Sequence, residues 1–153
     1  MSLTEPQPYC FEFQRRVEFS ETDMAGIMHF SNFYRFMESA EHAFFRSMGH
    51  GVHKTVDGET VGWPRVHSSC DFFRPVRFED TVTIRLTIEE IRRRSVRYIH
   101  TFLLGEGDEA AVVASGRMTT ACVRLDRDIG KIESIKIPDS LLGALETAQK
   151  SQQ

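Results

Sequence analysis

Cysteine is scarce. The 153 residues hold three, Cys10, Cys70 and Cys122, widely spaced and in no C-x-x-C pair. That odd, scattered set argues against a disulfide framework or a zinc ribbon and favours a reducing compartment. No H-E-x-x-H or H-x-x-x-H spacing joins the six histidines, so no metal site and no metal cofactor is expected. No apolar run reaches membrane-spanning length, and the opening MSLTEPQPYC lacks a basic segment followed by an apolar core. Neither a membrane partner nor a secretory signal is expected, and a cytoplasmic protein is. An excess of basic charge is also missing. Nineteen Lys and Arg face 22 Asp and Glu, for a net charge of −3, which gives no case for nucleic acid. Any anionic ligand must be held by a local basic patch. There is no G-x-G-x-x-G, no P-loop and no β-α-β alternation, so the common nucleotide-binding folds are excluded.

What is present is concentrated in Ser20 to Met48, SETDMAGIMHFSNFYRFMESAEHAFFRSM. Phe33, Phe36, Met37, Ala40, Phe44 and Met48 recur at spacings of three and four, the stripe of a buried helix. Tyr34, Glu38, Glu41 and Phe45 widen the arc. Ser31 or Asn32 is expected to cap the start and Gly49 to end the helix in a left-handed turn. Asp23 and Gly26 lie just before it. A helix start offers unpaired N–H groups and a dipole that favour negative charge, which acyl chemistry requires where a carbonyl becomes an oxyanion.

Around this stretch the chain reads as one domain over residues 1–153, with a loose arm at 1–9 and a frayed tail at 147–153. A first strand spans 11–19. Residues 49–62, rich in Gly, His and charge, read as a loop. A less regular strand follows over 63–73. Thr81 to Ile91 alternates cleanly until Ile91, which predicts a bulge near Glu89 or Glu90. Further strands are expected over 96–104, 110–124 and 131–137, with Gly116 permitting a sharp bend in the second of them. Pro138 and Asp139 open a short C-terminal helix carrying Leu141, Leu142 and Leu145. This is an α+β chain: a strand, one long helix, four or five antiparallel strands and a terminal helix. A single helix covers such a sheet poorly, so a homo-oligomer is expected.

EFSETDMAGIMHFSNFYRFME, residues 18–38, resembles the 4-hydroxybenzoyl-CoA thioesterase-like branch of the hotdog-fold acyl-CoA thioesterases. The residues that carry the likeness are Asp23, Gly26, Ile27, Met28, His29, Asn32, Phe33 and Glu38. FFRPVRFEDTVTI, residues 72–84, is similar to the family's second motif. Glu21 and Phe33 depart from it, standing where relatives often carry Asp and Tyr. The resemblance implies a hotdog fold, a sheet of five or six strands wrapped around one long central helix. It implies a homodimer or homotetramer that hydrolyses an acyl-CoA to free acid and CoA. No cofactor is implied, since coenzyme A is part of the substrate. Asp23 takes the place of the catalytic carboxylate, as general base or nucleophile. Backbone N–H groups of His29 and Phe30 take the place of the oxyanion donors.

Other candidates follow. Gly26 would let the backbone approach the thioester, and Asn32 is either a cap or a substrate contact. Arg92, Arg93, Arg94 and Ser95, on the densest basic turn, are candidates for the phosphates of coenzyme A. Phe72, Phe73 and Tyr98 are candidate walls of an acyl pocket. Glu38 and Glu41, on the helix edge, read first as ion-pair partners and second as a paired-acid site. Two further readings stay open on the same fold: a dehydratase or hydratase, and a non-catalytic acyl-binding or regulatory domain.

Overall fold

A computed structural model describes residues 7–51, 55–126 and 128–152. The alternating segment Phe11–Arg16 forms β1, and a 3-10 turn over Phe19–Glu21 leads toward the long helix α1, Phe30–Ser47. The apolar stripe is buried: Phe33, Phe36, Met37, Ala40 and Phe44 all face the interior. The helix begins earlier than the expected caps at Ser31 or Asn32. His29 is the N-cap, its Nδ1 accepting from the Ser31 N–H at 3.3 Å, while the Asn32 amide is turned to the Glu21 carbonyl. Gly49, at φ 78°, ends the helix in the left-handed turn expected of it.

The stretch expected as a loop carries a hairpin, β2 (Thr55–Val56) and β3 (Glu59–Gly62). Asp57 and Gly58, at φ 49° and 82°, supply the two positive angles a tight turn between twisted strands requires. Residues 52–54 of that stretch lie outside the described residues. Then come β4 (Arg65–Phe72), β5 (Thr81–Ile91), β6 (Ser95–Leu104), β7 (Ala111–Ala121), β8 (Val123–Asp126) and β9 (Lys131–Ser134), and α2 (Asp139–Lys150) closes the chain. Five strands form one antiparallel sheet in the order β1-β5-β6-β7-β4, and α1 packs against β1, β5 and β4. A second sheet, β2-β3-β8-β9, was not foreseen. No helix among the described residues is long and apolar enough to cross a membrane.

The register of β5 slips between Ile88 and Glu90, where the broken alternation placed a bulge. The expected single strand over 110–124 is two. The Cys122 N–H donates to the Arg94 carbonyl (2.7 Å) and its carbonyl accepts from the Ile135 N–H (3.1 Å), so the chain passes from one sheet to the other there. Gly116 is not that bend. It stays in register between Cys70 and His100, and a Cβ on it would strike the Met37 sulfur and methyl carbon. Its role is to let α1 lie close on the sheet.

The C-terminal segment does not fray through residue 152. The Gln152 side-chain amide accepts from the Ile88 N–H (2.6 Å) and donates to the Ile88 carbonyl (3.1 Å), satisfying backbone beside the bulge. The arm is also held from Gln7 onward. Gln7 is buried, the Pro8 carbonyl accepts from the Thr87 hydroxyl, and the Cys10 N–H donates to the Leu86 carbonyl (3.0 Å). Residues 1–6 and 153 lie outside the described residues.

Candidate active site

Asp23 occupies a turn between β1 and α1. Its Oδ1 accepts from the Ala25 N–H (2.8 Å) and, more weakly, from the Ile27 N–H (3.4 Å). Its N–H donates to the Ile27 carbonyl (2.9 Å), and its carbonyl accepts from the Gly26 N–H (3.0 Å). Closing so tight a turn puts Gly26 at φ 78°, a conformation that penalises a Cβ. A Thr22–Met28 bridge and an Ile27–Arg77 bridge tie the loop to its neighbours. The carboxylate is thus oriented by backbone donors and remains half-buried at the edge of a cleft.

That cleft has a volume of ≈ 630 Å³ and is lined by Asp23, Ile27, Met28, Phe30, Phe33, Phe72, Phe73, Arg74, Pro75 and Val76. It joins the two sequence motifs. Phe72 and Phe73, two of the three candidate walls, line it. Tyr98, the third candidate wall, is fully buried elsewhere and does not reach the cleft. The ladder of β4 ends where the N–H groups of Phe73 (2.8 Å) and Arg74 (3.1 Å) both donate to the Val113 carbonyl. Phe33 stacks edge-on against Phe72 at 5.0 Å and also meets Phe102 at 5.2 Å.

The start of α1 borders the same space. The His29 N–H donates to the Glu21 carbonyl at 2.9 Å and the Met28 N–H to the Val76 carbonyl at 2.6 Å. Of the two expected backbone donors, His29 is therefore engaged in this conformation. The Phe30 N–H, at the first helical position, has no backbone acceptor among the described residues. The His29 ring packs on Phe30 at 4.6 Å, and its Nδ1 lies 2.8 Å from the Ser31 hydroxyl. Asn32 Nδ2 donates to the Glu21 carbonyl (2.8 Å). Asp23, Gly26, His29, Phe30 and Asn32 thus form one neighbourhood.

The structure does not bring Arg92, Arg93, Arg94 and Ser95 to it. They lie at the far end of β5, and eleven residues of strand span about 36 Å. There Arg92 pairs with Glu90 (3.0 Å), Arg97 lies 3.4 Å from the same carboxylate, and the Ser95 carbonyl accepts from the Arg92 N–H (2.9 Å). The hydrogen bond from Arg92 holds the Glu90 carboxyl below its ordinary pKa. Arg93 and Arg94 line a separate groove of ≈ 450 Å³ together with Arg124 and Lys136, and with the acidic Asp57, Glu59, Glu133 and Asp139.

Glu38 and Glu41 do not form a paired-acid site in the cleft. Both face Arg65 of β4, Glu38 at 3.8 Å and the fully buried Glu41 in a close hydrogen-bonded pair. Burial outweighs the Arg65 charge and pushes the Glu41 carboxyl up to about 7.

Sequence reasoning passed over three residues. Arg74 lines the cleft from the second motif. Glu21 and Arg15 are joined at 2.9 Å behind the Asp23 turn. Glu21 had drawn notice only as a departure from the family pattern. The signal that could have found its partner was Arg15, a charge breaking the apolar alternation of β1 just ahead of an acidic turn.

The sequence profile described as Thioesterase-like superfamily matches residues 17–145. The chain belongs to this superfamily. Among curated relatives, 4-hydroxybenzoyl-CoA thioesterase of Pseudomonas sp. (strain CBS-3) is 32% identical over 90 residues, 58% of this chain and 64% of that one. The 1,4-dihydroxy-2-naphthoyl-CoA hydrolase of Synechocystis sp. is 24% identical over 115 residues, covering 75% and 82%. Among solved structures, a gentisyl-coenzyme A thioesterase superposes with a TM-score of 0.73 at 30% identity, over 86% of this chain and 98% of that one. The superfamily match, the hotdog architecture and the thioester-hydrolase class expected from the sequence agree with these relatives. The matched segment contains both cleft motifs, Asp23 to Asn32 and Phe72 to Val76, within one family domain.

Proposed function

We propose that the chain hydrolyses an aromatic acyl-CoA thioester to the free acid and coenzyme A. The observation that carries this reading is a single cleft in which an oriented carboxylate, Asp23, faces a helix start and four phenylalanine rings, Phe30, Phe33, Phe72 and Phe73. Flat rings stack on flat rings, which favours an aromatic acyl group over a flexible aliphatic one. The names of the relatives point the same way.

In the reaction the carbonyl carbon gains an oxygen and loses the thiolate sulfur. Asp23 either takes a proton from the attacking water or attacks directly, giving a mixed anhydride that water then cleaves. In both routes the carbonyl oxygen takes on negative charge as the tetrahedral centre forms. The Phe30 N–H, with the positive end of the α1 dipole behind it, is positioned to receive that charge. The departing thiolate takes up a proton and leaves as coenzyme A.

The basic turn at Arg92, Arg93 and Arg94 supports this reading only across protomers, since it is remote from Asp23 of its own chain. The edge strand β4 exposes Val66 (63%) and Phe72 (46%), a surface suited to a second copy of this chain. On this reading a homo-oligomer brings the Arg turn of one subunit toward the cleft of another. The test is thiol release from a panel of benzoyl-type and aliphatic acyl-CoA thioesters, with Asp23→Asn alongside. Release by wild type, fastest with an aromatic acyl group and lost in the variant, is expected. A variant with near-normal turnover would remove Asp23 from the mechanism, and preference for aliphatic chains would overturn the acyl class.

A further inference from the structure

We propose that Arg15, Glu21 and Asn32 form a clamp that positions the Phe30 N–H relative to Asp23, a role that rests on the hydrolase reading above. Glu21 is the centre of it. The residue is 8% exposed, and every polar group it has is engaged. Its N–H donates to the Glu18 carbonyl (3.0 Å). Its Oε1 accepts from the Glu18 N–H (2.9 Å) and its Oε2 from Arg15 (2.9 Å). Its carbonyl accepts twice, from the His29 N–H (2.9 Å) and from Asn32 Nδ2 (2.8 Å).

Asp23 is only two residues further along the chain, and Phe30 directly follows His29. One residue therefore fixes both the turn that carries the carboxylate and the first turn of α1. Arg15 carries the fixing outward. Its other guanidinium nitrogen donates to the Ser39 hydroxyl (3.2 Å), and the group lies over the Phe36 ring at 4.2 Å. β1, the Asp23 turn and two successive turns of α1 are thus pinned to one fork. By occupying the His29 N–H, the Glu21 carbonyl also leaves the next N–H, that of the cleft-lining Phe30, as the one without a backbone acceptor among the described residues. Asn32 acts on Glu21, not on substrate.

Displacing a reacting group by about 1 Å can cost about 10²-fold in rate, so loosening the clamp acts on kcat. Steady-state kinetics of the full chain on the best aromatic acyl-CoA test this with Asn32→Asp, which sets a carboxylate against the Glu21 carbonyl, and Arg15→Met, which keeps the packing on Phe36. Each is expected to lower kcat about 10-fold or more with KM within about two-fold. Glu21→Gln keeps one side-chain acceptor and sets an NH2 donor against either the Arg15 guanidinium or the Glu18 N–H, so it is expected to lower kcat as well, by less than Arg15→Met. Amide hydrogen exchange at His29 is expected to quicken in both disruptive variants while their melting transitions stay cooperative. Asp23→Asn runs beside them. If wild type hydrolyses no thioester the hydrolase reading fails, and if Asp23→Asn turns over normally Asp23 leaves the mechanism; in either case unchanged His29 exchange in the two disruptive variants sinks the clamp as well. If Asp23→Asn is inactive while Asn32→Asp and Arg15→Met keep wild-type kcat, the clamp alone is overturned. A raised KM at unchanged kcat in Asn32→Asp would make Asn32 a substrate contact and overturn it too.

Discussion

The start and the middle of α1 treat a carboxylate in opposite ways. Beside the helix start, Asp23 is half-buried, oriented by backbone N–H groups and open to a cleft. Midway along the helix, Glu41 is fully buried and answered by Arg65. Around Glu41 the interior turns polar. Tyr98, His100 and Thr120 are buried there, the Tyr98 hydroxyl beside Thr120, and both His100 ring nitrogens lack hydrogen-bond partners among the described residues. Burial, and then the Arg65 charge, pushes the His100 imidazole down to about 3, so it is neutral. Apolar cores lie on either side. One, around Phe33, Phe36 and Met37, backs the cleft, and the other, around Phe44, Phe45 and Trp63, supports the second sheet and α2. A carboxylate meant to react is held at the surface by donors that leave part of it available. One buried under a helix is tied to a guanidinium and becomes part of the architecture.

The sharpest way to break this comparison is to neutralise each carboxylate. Asp23→Asn is expected to lower thiol release by about 10²–10⁴-fold with an unchanged melting temperature. Glu41→Gln is expected to do the reverse, leaving turnover nearly intact while changing how stability depends on pH. The Glu41 carboxyl is raised from its ordinary 4.5 to about 7 in the folded protein. Its contribution is therefore fully present below pH 4.5 and is lost as pH rises through about 7. Across that window the loss is on the order of 3 kcal/mol. Melting temperatures measured between pH 4.5 and 8 should fall with pH in wild type and follow a flatter profile in Glu41→Gln. Equal profiles would show that Glu41 does not titrate there.

Smaller effects test the surroundings. Gly116→Ala is expected to destabilise by about 1 kcal/mol, because the added methyl group displaces the flexible end of the buried Met37 side chain, which must repack in the core. Gln152→Ala is expected to cost about 1 kcal/mol in chemical denaturation, through the two hydrogen bonds at Ile88.

Much of this was legible before the structure. Clean alternation from Val82 to Ile88 gave β5 and its bulge because one face is buried and the other is not. The spacing in Phe33 to Phe44 gave α1 for the same reason. The turn at Asp23 and Gly26 was legible because a tight turn ahead of a helix allows few residue types, whereas their candidacy for the site came from the resemblance to the family's motif. The β2–β3 hairpin was hidden, since its strands are short and polar and only Asp57-Gly58 betrays it. The division of β7 from β8 was hidden because a strand apolar on both faces reads alike whether or not it changes sheets. The His29 cap was missed because histidine is not among the usual capping residues. His100 gave no sign of facing inward, as strand periodicity fixes a face but not which face is covered.

The close approach at Gly116 constrains the routes open to related sequences. The distance between helix and sheet is set there by the lack of a single methyl group, opposite a methionine. Methionine is the long, pliable member of that pair, so it is the one able to give way. A lineage that replaces the buried Met37 by a shorter residue first leaves a cavity, and one that enlarges position 116 first overpacks the same spot, so either route crosses a less stable intermediate. The two sites should therefore vary together, bulk lost at one being matched by bulk gained at the other.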